Sequence, residues 1–114
     1  MPMKKSPPEL IDRFGRVMDR FPAAELRQMF GFPAAFVGGN LATGLFEDGW
    51  MARIPAAELA DAIAAGRARQ FEPMPGRAMT GYALLPPEVI ADDEAIGAWV
   101  DRAVAFTATL PPKK

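Results

Sequence analysis

Leu10, Phe14, Val17 and Phe21 recur at intervals of four, three and four residues, with Ile11 and Met18 beside them. This is the spacing of one apolar stripe along an α-helix. Ser6-Pro7-Pro8-Glu9 precedes it, offering a capping hydroxyl, prolines suited to a first turn and a glutamate at the reciprocal capping position. Pro22 predicts the end of that helix.

From Glu25 onward the rhythm shortens. Apolar runs at 26–30, 34–37, 41–46 and 50–54 are separated by Gly31-Phe32-Pro33, Gly38-Gly39-Asn40 and Glu47-Asp48-Gly49, a pattern of strands and tight turns. The Asp48-Gly49 pair predicts a hairpin joining 42–46 to 50–54, with positive φ at the turn. Strands this close leave no room for crossover helices and must be antiparallel. A second helix is expected over 55–65, with Leu59 and Ile63 inward and Gly66 ending it. A polar, proline-punctuated stretch follows over 67–77, then a last strand over 78–85 closed by Pro86-Pro87. Asp92 or Asp93 caps a final helix whose buried stripe is Ile96, Trp99, Val100, Ala103, Val104 and Thr107. The expectation is one domain over 1–114, of class α+β: two layers, with an antiparallel β-sheet of four to five strands flanked by three helices in the order helix–strands–helix–strand–helix.

Neighbouring strand residues point to opposite faces. Met29-Phe30, Phe36-Val37, Leu45-Phe46 and Trp50-Met51 therefore bring bulky apolar groups to both faces of the sheet, and three helices of these lengths cover one. This predicts a homodimer closing the other face, with Met29, Phe30, Phe32, Phe36, Phe46 and Trp50 at the interface. The competing solution is that the stretch 67–79 folds across that face.

Composition removes whole classes of chemistry. The 114 residues include no histidine, no cysteine and a single serine, Ser6. Nucleophile–imidazole catalysis and nitrogen or sulfur metal sites are absent from the repertoire, so no catalytic residue, metal or cofactor is expected. Thirteen basic residues against fourteen acidic give a net charge of −1, and the pI is about 5.4. All four lysines, Lys4, Lys5, Lys113 and Lys114, lie at the chain tips, which argues against direct nucleic-acid binding. No run approaches the roughly 20 apolar residues that span a bilayer, so no membrane association is expected and the location predicted is cytoplasmic. Two acidic groups, Glu47-Asp48 and Asp92-Asp93-Glu94, are explained by turn and helix-start chemistry, and a carboxylate-based enzyme built on them is the weakest reading. Arg53, Arg67, Arg69 and Arg77 form an anion-binding candidate should 67–77 fold back towards the sheet edge.

Met29-Phe30-Gly31, Phe36-Val37-Gly38-Gly39-Asn40, Gly44, Asp48, Arg53, the run from Phe71-Glu72-Pro73-Met74-Pro75-Gly76-Arg77 through Met79, Gly81 and Tyr82, and the closing segment from Trp99 to Leu110-Pro111-Pro112-Lys113 together resemble the N-terminal domain of the TfoX/Sxy family. The likeness runs from about Leu10 to the C-terminus, and Pro75-Gly76-Arg77 with Met79, Gly81 and Tyr82 is its most specific part. Phe32 stands where the family usually has a second glycine, and Gly39-Asn40 reverses its usual Asn-Gly. The resemblance implies a helix-first α+β fold without established catalytic residues. Full-length members regulate competence gene expression and carry a C-terminal domain, so that role is not carried over to this chain. The functional expectation is a non-enzymatic interaction or regulatory module, with a protein partner or a second copy. The alternative is a small-ligand or anion-binding domain using Arg53 and Arg77.

Overall fold

The computed structural model describes residues 5–112. Helix α1 (Pro8–Met18) leads into β1 (Glu25–Met29), β2 (Phe32–Val37), β3 (Asn40–Phe46) and β4 (Gly49–Arg53). Helix α2 (Ala56–Ala64), strands β5 (Arg69–Gln70) and β6 (Tyr82–Leu84), the single turn α3 (Pro87–Ile90) and the long helix α4 (Asp93–Ala108) follow. The strands form one antiparallel sheet in the order β1-β2-β3-β4-β6-β5. The fold is therefore α+β as expected, with six strands and four helices among the described residues. The additions to the expected elements are β5 and α3, both too short to print a hydrophobic period on the sequence. Pro86-Pro87, read as a strand stop, also starts α3, because a proline in the first turn gives up no hydrogen bond.

Helix α1 buries Leu10, Phe14, Val17 and Met18, the stripe its spacing dictates. Ser6 does not cap it; the cap position is Pro7 and no side chain bonds there. The Ser6 hydroxyl instead donates to the Glu47 carbonyl at 2.6 Å and ties the helix start to the β3–β4 turn. Asp92 does cap α4, accepting from the Glu94 and Ala95 amides. Gly66, at φ +75°, closes α2 with paired bonds from Gly66 N to Ile63 O and from Arg67 N to Ala62 O, the two-bond left-handed helix stop. Ile63 is not inward: α2 buries Leu59 and Ala62, and Ile63 is 39% exposed. Leu59 and Ala62, three residues apart, form the face that α2 turns to the core.

The turns fall slightly off the expected positions. Phe30 (φ +57°) and Gly31 (φ +82°) turn β1 into β2, so Phe32 and Pro33 belong to the strand. The β2–β3 ladder runs only from Val37 back to Ala34, and Pro33 sits beyond it. The hairpin foreseen between β3 and β4 is present, but its turn is Glu47-Asp48, with Glu47 at φ +55° and Phe46 opposite Gly49. Gly49 already belongs to β4, where an added Cβ would lie 3.0 Å from Leu84 Cδ1 and 3.3 Å from the Phe46 carbonyl oxygen.

Helices α1 and α4 lie on one face of the sheet over a core that includes Phe14, Leu45, Trp50, Ala52, Ile96 and Val100. A second buried cluster, Ala34, Leu41, Met51, Phe71 and Tyr82, occupies the other face, with Met29, Phe36, Phe46, Met79 and Leu84 packed against it. Both faces are thus apolar. The second is covered at its centre by the 71–79 stretch, which inserts Phe71 (2% exposed) and returns through a bond from Met79 N to Phe71 O.

Candidate functional site

The four arginines expected to converge do not. Arg53 lies on the loop-covered face, where its Nη1 donates to the Tyr82 hydroxyl at 3.3 Å and its guanidinium stands 5.4 Å from the Tyr82 ring centre. The Tyr82 hydroxyl in turn donates to the Leu41 carbonyl at 3.3 Å. Arg67 is on the helical side, lining a cleft of about 280 Å³ with Glu58, Asp61, Trp99 and Arg102. Arg69 sits on the outermost strand, paired opposite Leu84, and Arg77 is exposed on the covering loop. The sheet separates Arg53 from Arg67. Arg77 closes its turn through its backbone, N to Met74 O at 2.9 Å, while no side-chain bond or ion pair of its guanidinium occurs among the described residues. Burial raises the pKa of Tyr82, opposed by the nearby Arg53 cation, so this pair acts as a structural strut of the second core.

The acidic groups are equally local. Asp92 is a cap, and Asp93 lies 2.7 Å from Arg13 Nη2. The carbonyl of Glu47 holds Ser6. Glu58 pairs with both ends of the Arg102 guanidinium across the α2–α4 cleft, and that hydrogen bond lowers the carboxyl pKa. Among the described residues no group of three or more His, Cys, Asp or Glu side chains is placed to hold a metal. Among the described residues no helix is long and apolar enough to cross a membrane.

The six aromatic and methionine positions expected at an interface divide sharply. Trp50 is fully buried against Phe14, ring centres 5.1 Å apart, and Phe32 is 4% exposed; both belong to the core. Met29, Phe36 and Phe46 are half-buried at the rim of the second cluster. Phe30 alone is open, 56% exposed, holding its ring edge-on to Phe46 at 6.5 Å. It is also a bulky side chain in the left-handed backbone region, a conformation that costs energy wherever it occurs. It stands at the end of β1, an edge strand exposed along nearly its whole length, with Leu26 53% exposed.

Sequence reasoning missed a further arginine group. Arg13, Arg16 and Arg20 line one cleft of about 250 Å³ beside α1, with Val17 and Asp93. Their spacing of three and four was visible as a helical flank next to the apolar stripe, but the apolar reading of that helix absorbed it.

These features define a small α+β domain with a single antiparallel sheet cored on both faces and no catalytic constellation among its described residues. The chain belongs to the TfoX N-terminal domain family, whose model matches residues 16–107, and that is a family of non-catalytic domains. Neither the curated proteins nor the solved structures give a match.

Proposed function

We propose that this domain is a non-enzymatic interaction module that works as a homodimer joined along β1. The observation that supports it is the edge itself: β1 has a partner on one side only, exposes Leu26 and ends in the exposed, backbone-strained Phe30. The 71–79 stretch covers the centre of the sheet face that first suggested a dimer, and the β1 edge is the more open surface.

Edge strands usually carry charge to prevent association. Here the charges are of opposite sign two residues apart, Glu25 and Arg27, ion-paired within the chain at 2.6 Å. An antiparallel copy placed with Leu26 opposite the partner's Leu26 sets each Glu25 opposite the partner's Arg27. The pattern is self-complementary, which is what a two-fold interface requires. The same register brings Phe30 over the exposed Pro22-Ala23 segment of the other copy.

Light scattering at low micromolar concentration is expected to give twice 12.3 kDa. Glu25→Arg or Arg27→Glu alone places like charges opposite each other and yields monomer, and the double exchange restores the dimer. Phe30→Gly relieves the left-handed strain, raising monomer stability by about 1 kcal/mol while weakening association. A wild-type mass of 12.3 kDa, or a double exchange that stays monomeric, sinks the edge-paired dimer.

A further inference from the structure

The cleft between α1 and the start of α4 carries more positive charge than the fold uses. Arg13, Arg16 and Arg20 line it, and Asp93 is the one acid on its wall. One of the three guanidinia, that of Arg13, is already fixed by bonds. Arg13 donates from Nε to the Ile90 carbonyl at 2.6 Å and lies 2.7 Å from Asp93. Its Nη2 is buried and faces the Asp93 carboxylate. Arg20 lies across Gly97 of α4: a Cβ at that position would stand 2.8 Å from Nη2, 3.1 Å from Nη1 and 3.2 Å from Cζ. The absence of a side chain at Gly97 is what lets this guanidinium rest on the helix. Arg16 and Arg20 have no ion pair among the described residues.

We infer that this cleft binds a phosphoryl group. Asp93 is the one carboxylate on this wall, and Glu9 and Asp48 line the adjoining cleft that Arg13 and Arg16 also border. The cleft itself is therefore net positive and suits a phosphate monoester, whose charge near neutral pH is about −1.5 to −2. Planar guanidinium forks suit tetrahedral oxyanions because each presents paired donors to two oxygens. Arg13, held by the Ile90 carbonyl before any ligand arrives, lowers the ordering cost of binding, and the exposed Arg16 and Arg20 close on the ligand. A cleft of about 250 Å³ admits phosphate itself or a small phosphorylated molecule. This reading stands apart from the β1 edge, and neither depends on the other.

The test titrates the full chain with inorganic phosphate and, separately, with O-phosphoserine. Ionic strength is kept constant with sodium chloride, and the arginine side-chain N–H resonances are followed. Saturable shifts confined to Arg13, Arg16 and Arg20 are expected. Arg16→Gln and Arg20→Gln should each weaken binding about tenfold, the loss of one charge-assisted contact, and Arg77→Gln should leave it unchanged. Circular dichroism verifies that the variants remain folded; should Arg20→Gln unfold, Arg16→Gln, at a side chain with no ion pair, carries the test. Saturation by either ligand supports the site, and the tighter of the two identifies a phosphate ester or the free ion as its source. Shifts that chloride reproduces, or binding undiminished in Arg16→Gln, overturn it.

Discussion

Two buried threonines show how much one hydroxyl depends on its neighbours. The indole N–H of Trp50 donates to Thr43 Oγ1 at 2.8 Å, and the Thr43 hydroxyl donates onward to the Met51 carbonyl at 2.7 Å. Thr43→Val keeps the shape and strands the indole donor in a dry core. A loss of about 1–3 kcal/mol is expected by urea denaturation. Thr107, 1% exposed, has a hydroxyl with no hydrogen-bond partner among the described residues. Thr107→Val in the same assay should be neutral or stabilise by up to about 1 kcal/mol, because an unsatisfied polar atom leaves the core. Tyr82 adds a pH dependence. Its pKa is raised, chiefly by burial, so the folded state holds its proton more tightly than the unfolded chain, whose phenol titrates near about 10. This contribution is complete below that pH and is lost as pH climbs through the folded-state value. Alkaline unfolding followed by far-UV dichroism should therefore steepen above about pH 10, and Tyr82→Phe should flatten that limb.

At the scale of elements, caps and turns decide where each piece begins and stops. Asp92 serves two amides at the start of α4, the sixteen-residue helix that packs across β2, β3 and β4. Asp92→Ala should cost about 1 kcal/mol by thermal melting. Helix α1 and the four-strand run β1–β4 were legible because their periods, 3.6 and 2, repeat often enough to stand out. The turn positions were less so. Glu47-Asp48 makes the β3–β4 turn, with Phe46 opposite Gly49, although Asp48-Gly49 has the stronger local preference. Ser6 likewise has the chemistry of a cap, yet bonds the distant Glu47 carbonyl. For Ser6 a contact from far along the chain overrides the local propensity.

For the molecule as a whole, the 71–79 stretch is the element on which the second core depends. Phe71 meets Phe46 edge-on at 5.5 Å and is almost wholly buried. Phe71→Ala should cost about 3–5 kcal/mol and expose the second face. Binding of a hydrophobic dye with far-UV dichroism retained would report this, and an unchanged melting temperature would refute the role. The sequence by itself determined the helix-first α+β class, the antiparallel order of the first four strands, two apolar sheet faces, and a side-chain inventory without imidazole or thiol. Each of these follows from local spacing or composition, which survive in any conformation of the chain. Tertiary structure alone decided that a proline-rich loop, not a helix, covers the second face. It also separated Arg53 from Arg67 across the sheet and gathered Arg13, Arg16 and Arg20 beside Gly97. Convergence in space depends on which surfaces the folded chain brings together, and one-dimensional spacing carries that only within a single helix or strand.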